Sequence, residues 1–129
     1  PLAIANPAVQ YTLLDSNGKK SRFLLEVKRA LMLANVEVET VRVESWLPTK
    51  RFDSVVTRAF ADLATTLVRV DHVLSDQGMV YAMKTQQAQH EIEALPDATR
   101  QVTAQNISVP GRDWSFQLLA VKPRAEVAL

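Results

Sequence analysis

Apolar and polar positions follow two different periods along this chain, and each change of period marks an element. Pro1-Leu-Ala-Ile-Ala is a short apolar stretch that reads like the inside of a helix. It closes at Asn6-Pro7, because the residue before a proline is biased away from the helical region. Gln10–Leu14 is a β-type run that stops at Asp15-Ser16-Asn17-Gly18, a cluster of turn formers. From Lys19 to about Ala34, Phe23, Leu24, Val27, Leu31 and Ala34 predict one face of an amphipathic helix, with Asn35 as its stop. Val36, Val38, Val41 and Val43 interleave with mostly charged residues and predict a strand ended by Glu44-Ser45. Phe52–Thr57 predicts another strand. Leu63, Leu67, Val70 and Leu74 predict a helix over 63–74, broken by Gly78. Met79–Met83 then reads as a short buried strand ending at Lys84, and Gln87–Leu95 as a polar helix closed by Pro96. Val102–Val109 and Ser115–Val121 are two late strands joined by a hairpin turn at Pro110-Gly111-Arg112-Asp113.

Strands separated by helical segments predict an α/β fold of the doubly wound kind: a mostly parallel sheet with helices on both faces. The closing hairpin adds an antiparallel strand at one edge. No internal repeat or low-complexity segment interrupts the pattern. With 129 residues the chain has the length of a single domain, 1–129, able to bury about two thirds of its unfolded surface. Apolar residues at 47% exclude a disordered chain, and 3 Gly with 6 Pro exclude collagen-like and low-complexity classes. No apolar run is long enough to span a membrane, and no basic stretch precedes an apolar one at the start, so neither a membrane helix nor a secretory signal is expected. The absence of Cys removes disulfides, thiolate metal sites and cysteine nucleophiles, and fits a reducing, cytoplasmic setting. His72 and His90 lack a third ligand at metal spacing, so no metal is expected, and Trp46 and Trp114 read as packing residues.

The net charge of +1 gives no global sign for a nucleic-acid partner, but its distribution is uneven. Nine basic residues face six acidic ones over 15–58, two face six over 62–97, and four face two over 100–129. Such a split can mark a partner-facing surface.

Ligands of open parallel sheets bind outside the carboxyl ends of the strands, so the residues that follow each strand are the candidates: Asp15, Glu44, Arg58 and Lys84. Asp15 either accepts hydrogen bonds from ribose hydroxyls or caps the turn into the next helix. Lys19, Lys20 and Arg22 occupy the first turn of that helix, where cations oppose the helix dipole. They form either a phosphate contact or a solvated face. Glu44 either meets a ribose or adenine amino group, with Val43 against the ring, or faces water. Arg58 either pairs with a ligand carboxylate or forms a structural salt bridge. No Ser-His-Asp arrangement, P-loop or paired-carboxylate site stands out, and no catalytic residue is assigned.

Four motifs stand in order: Tyr11-Thr-Leu-Leu-Asp-Ser-Asn-Gly-Lys-Lys-Ser-Arg-Phe-Leu, Arg42-Val-Glu, Thr57-Arg-Ala-Phe-Ala and Tyr81-Ala-Met-Lys. Together they resemble the glucose-inhibited division protein B family, bacterial methyltransferases that act on the N-7 position of one guanine in small-subunit ribosomal RNA. The resemblance runs from Pro1 to about Lys122. It implies a Rossmann-like class I methyltransferase fold that uses S-adenosylmethionine, with small-subunit ribosomal RNA or the assembling small subunit as partner. Residue by residue, it implies that Asp15 lies near the cofactor ribose, that Val43 and Glu44 meet the adenine, and that Arg58 lines the reactive end. Lys19, Lys20, Arg22 and Lys84 correspond to a basic rim for RNA. The family places a first strand and a Gly-rich loop immediately before Pro-Leu-Ala-Ile. Their absence here implies an N-terminally truncated domain without the central strand of its sheet. These 129 residues alone are therefore expected to be poorly stable or to oligomerise, and not to methylate. Two rival readings are a nicotinamide-cofactor Rossmann enzyme and a non-catalytic module that only contacts RNA or the ribosome.

Overall fold

The computed structural model describes residues 1–58, 61–85, 88–95, 101–113 and 115–123. They fall into two compact units, Pro1–Trp46 and Leu47–Leu129. Parts of the expected pattern at Ala59, Phe60, Gln87, Pro96 and Trp114 lie outside the described residues.

The first unit opens with α1 (Leu2–Ala5), which ends at Asn6 as its proline neighbour requires. Strand β1 (Tyr11–Leu14) pairs in parallel with β2 (Val36–Glu39), Tyr11 opposite Val36 and Leu14 opposite Glu39. Between them runs α2 (Gly18–Ala30). Its N-cap is Asn17, whose Oδ1 accepts from the Lys19 and Lys20 amides at 2.9 and 3.3 Å, satisfying two otherwise orphaned donors.

Three expectations change here. Helix α2 stops at Ala30 rather than Ala34, because Met32 takes a left-handed φ of 51°, which ends the helical path. Its apolar stripe is only partly covered: Leu24 and Val27 are half-buried, whereas Phe23 and Leu31 are 67% and 52% exposed. Asn35, expected as a simple stop, is buried, and its Nδ2 donates to the carbonyls of Ala3, Asn6 and Val9 at 3.0, 3.2 and 2.9 Å. Two amide protons thus serve three carbonyls and tie α1 and the segment after it to the start of β2. Strand β2 itself ends at Glu39, not Val43. Its partner β1 turns away after Leu14, and the Asp15 amide donating to the Glu39 carbonyl at 3.2 Å is the final rung. Val43–Ser45 forms a 3₁₀ turn instead.

The second unit is built on a four-stranded sheet in the order β3-β4-β6-β5. Strand β3 (Phe52–Arg58) runs parallel to β4 (Leu74–Lys84). The hairpin strands β5 (Gln101–Ser108) and β6 (Ser115–Lys122) are antiparallel to each other, and β6 is antiparallel to β4. Gly111, with φ of 78°, supplies the left-handed residue of the hairpin turn, and the Arg112 amide donates to the Val109 carbonyl at 3.1 Å. Helix α3 (Leu63–Val70) has a strongly apolar face of Leu63, Leu67 and Val70 and packs on β4. Val80 and Ala82 of β4 stand opposite Val121 and Leu119 of β6, and all four are buried.

The expected helix over 63–74 gives way at Val70 to a 3₁₀ turn (Asp71–Val73), and Leu74 begins the strand. Gly78 is therefore a strand residue rather than a helix breaker. Its register shifts against β3 between Phe52 and Ser54, and a Cβ at Gly78 would overlap the side chain of Leu74. The missing side chain makes room for that leucine in an irregular stretch of strand. Helix α4 (Gln89–Glu93) is the described part of the polar helix.

Candidate functional site

The carboxyl end of β1 is where the first unit gathers polar chemistry. Asp15 follows the strand directly and is half-buried. Its backbone is fixed on both sides, since its amide donates to Glu39 and its carbonyl accepts from the Oγ of buried Ser21 at 3.2 Å. One carboxylate oxygen, Oδ1, accepts from the Asn17 amide at 2.8 Å, an Asx-type turn. The helix cap is Asn17, not Asp15, so the carboxylate supports the turn with one oxygen and holds the other for a further donor. A shallow cavity of about 390 Å³ opens beside it, lined by Asp15, Lys19, Lys20, Phe23 and Leu24. A carboxylate acceptor next to aromatic and aliphatic carbon suits a sugar hydroxyl carried on an apolar ring system.

Lys19 and Lys20 are exposed, and no acid stands in the first turn of α2 to neutralise them. Arg22 is also exposed, with its Nε donating to the Gly18 carbonyl at 3.3 Å. Two residues expected near a ribose on one side and RNA on the other, Asp15 and the lysine pair, thus share one cavity. Val43 and Glu44 sit in the 3₁₀ turn beyond β2, Val43 half-buried and Glu44 exposed, and neither lines that cavity. They follow a turn rather than ending a strand, as the shortened β2 requires.

In the second unit, Arg58 and Lys84 end the neighbouring parallel strands β3 and β4, with Arg58 opposite Met83. Arg58 is exposed and forms no ion pair among the described residues. Lys84 departs from an open basic rim. Its side chain is 18% exposed, and its Nζ donates to the Ala61 carbonyl at 2.9 Å and to Glu91 Oε1 at 3.1 Å. The same Glu91 oxygen accepts from the Leu63 amide at 2.8 Å. An ammonium already engaged by a carboxylate and a carbonyl is poorly placed to meet a phosphate.

Two polar residues of this end escaped the sequence reading. Asp62 caps α3, its Oδ1 accepting from the Thr65 amide at 2.8 Å and its Oδ2 from the Thr65 hydroxyl at 3.0 Å. These bonds, the amide first, hold its carboxyl below the usual aspartate range. An Asp directly before an apolar helical pattern is a cap signal that was open to reading. Glu91 carried no such signal, because its partners come from two other elements. His90 is exposed on α4, and among the described residues no group of three or more His, Asp or Glu side chains converges as a metal site. No helix of the described residues is long and apolar enough to cross a membrane.

Comparison with known proteins places this geometry. The Ribosomal RNA small subunit methyltransferase G of Nitrosococcus oceani is 40% identical over 124 residues, covering 96% of this chain and 58% of the relative. The chain spans well under two thirds of the length of such relatives. Among solved structures, a ribosomal protein L11 methylase from Lactobacillus delbrueckii subsp. bulgaricus superposes with a TM-score of 0.69 at 18% identity, covering 95% of this chain and 64% of that one. A Streptococcus mutans protein in complex with SAH superposes with a TM-score of 0.59 at 12% identity, covering 88% and 76%. At such identities the likeness speaks for the fold alone, that of class I methyltransferases, with the parallel pairs β1-β2 and β3-β4 and the antiparallel closing hairpin. The family model described as rRNA small subunit methyltransferase G matches residues 1–115, which takes in all four motifs and every candidate residue named above, and the chain belongs to that family.

Proposed function

We propose that this chain is part of an S-adenosylmethionine-dependent methyltransferase domain that modifies the N-7 position of a guanine in small-subunit ribosomal RNA. The observation that carries the reading is the half-buried Asp15 carboxylate at the carboxyl end of β1, set beside a cavity, in a chain of this family. One carboxylate oxygen is committed to Asn17, which leaves the other to accept from ribose hydroxyls. Following the resemblance, Val43 and Glu44 serve the adenine, and Arg58 serves the charged, reactive end. Lys19, Lys20 and Arg22 form the basic rim for RNA.

S-adenosylmethionine supplies an electrophilic methyl group when bound. Guanine N-7 presents a lone pair and carries no proton, so its methylation needs no general base. What the chain's own residues must do is bind and orient: Asp15 by accepting hydrogen bonds, Arg58 by charge, the lysines by holding the RNA backbone. The absence of an assigned acid–base pair is consistent with that division of labour. The target base must be unstacked or single-stranded to reach such a site.

The direct test is methylation of small ribosomal subunits and of free small-subunit RNA by this chain, extended upstream of Pro1 to the length of its relatives. Mass spectrometry of nuclease digests identifies the product. The proposal expects N-7-methylguanine at one position, lost on Asp15→Ala. A folded, cofactor-binding protein that methylates a different atom overturns the N-7 assignment. Retention of RNA without cofactor binding turns the reading to a non-catalytic RNA contact.

A further inference from the structure

We infer that Lys84 and Glu91 are a positioning pair that fixes the connection from β3 to α3, and through it Arg58. The inference rests on the reading of Arg58 as a residue that touches the cofactor. Arg58 is the final residue of β3, and α3 begins at Leu63, so a short connection sets where the strand end and its guanidinium point. Lys84 Nζ holds the Ala61 carbonyl from one side, and Glu91 Oε1 holds the Leu63 amide from the other. The ammonium and carboxylate bind each other, so the two grips form one clasp that straddles Asp62, the α3 cap. Both side chains are more than four-fifths covered, 18% and 17% exposed. In such a setting the pair is less screened than a surface ion pair, and loss of one partner strands the other charge and a backbone group. The clasp also reaches across three elements: β4, α4 and the start of α3. A residue at the carboxyl end of a parallel strand is well placed to contact a ligand, yet Lys84 is turned onto the backbone of its own fold.

The test uses whichever form of the protein binds S-adenosylmethionine, this chain or its upstream extension, and measures cofactor affinity, RNA affinity and melting temperature. The variants are Lys84→Met, Lys84→Arg, Glu91→Gln, Arg58→Ala and the double variant Arg58→Ala/Lys84→Met. Lys84→Met and Glu91→Gln are expected to weaken cofactor binding about tenfold or more, as misplacement of a binding group does, with RNA affinity unchanged. Lys84→Arg, which keeps a donor, restores part of the loss. The double variant binds cofactor no worse than Arg58→Ala alone, because Lys84 acts through Arg58. An RNA affinity that falls on Lys84→Met while cofactor affinity holds overturns the inference in favour of a direct RNA contact. Losses at Arg58 and Lys84 that simply add, together with a lower melting temperature, overturn it in favour of a general stabilising role. Unchanged cofactor affinity in Arg58→Ala, or no cofactor binding by either folded form, instead removes the reading of Arg58 on which the clasp depends, a failure distinct from that of the clasp itself.

Discussion

The two units of this molecule are held by different physics. In Leu47–Leu129, cohesion comes from apolar burial: Leu63, Leu74, Val80, Leu119 and Val121 are fully buried around a four-stranded sheet. Each such side chain stabilises by roughly 1.5–3 kcal/mol relative to exposure. In Pro1–Trp46, a two-stranded sheet offers little to bury against. Its buried side chains are Ala3 and Val36 with the polar Ser21 and Asn35, while Leu2, Ile4, Val9, Phe23, Leu25, Leu31 and Met32 remain exposed. Directed hydrogen bonds from Asn35 and Ser21 do there what leucines do in the other unit. The unit that depends on polar fixation is also the one that carries Asp15 and its cavity, so the geometry of that site hangs on a few specific bonds rather than on bulk packing.

The largest expected effect follows from the apolar unit. Leu119→Ala opens a void between β4 and β5 and should cost about 2–5 kcal/mol, read as a lower urea midpoint and faster amide exchange along β4 and β6. In the polar unit, Asn35→Ala leaves three carbonyls without their donor and should cost about 1–3 kcal/mol, with exchange rising at Tyr11, whose amide donates to the Asn35 carbonyl at 2.8 Å. An Asn35→Ala variant with unchanged exchange would dissolve the contrast between the units. Asp62→Ala should lower the melting temperature at neutral pH by less. Because the carboxyl of Asp62 sits below its ordinary range, the stability it adds is present above that range. It fades as the pH falls through the ordinary range toward the lowered value, so wild type and variant should converge in acid. Phe23→Ala is the smallest: at 67% exposed, its removal should change stability by no more than about 0.5 kcal/mol.

Much of this arrangement is legible in the sequence, and the exceptions have physical causes. Strand β3, the closing hairpin and the end of α1 follow local rules of period, turn chemistry and proline, and they stand where those rules put them. The α3 face is read correctly at Leu63, Leu67 and Val70, but Leu74 fits both the helical spacing and a strand start, and only pairing with Phe52 decides between them. The valine alternation continues past Glu39 with no partner strand to receive it, a fact of β1's length rather than of β2's own residues. Asn35 carries ordinary helix-stop chemistry, and its role as a buried donor depends on carbonyls far away in the chain. For the candidate site, motif and strand-end position single out Asp15, Lys19, Lys20 and Arg58. Lys84 shares their local signature, but its ammonium belongs to Glu91 and Ala61, a pairing set by how α4 packs near α3.

The measurement that bears most directly on the account is calorimetric titration of S-adenosylmethionine into this chain and into the chain extended upstream of Pro1 to the length of its relatives, each with its Asp15→Ala variant. The account predicts saturable binding by the extended chain that Asp15→Ala abolishes. Folded protein that binds in neither form, or that binds equally well without the Asp15 carboxylate, would contradict it.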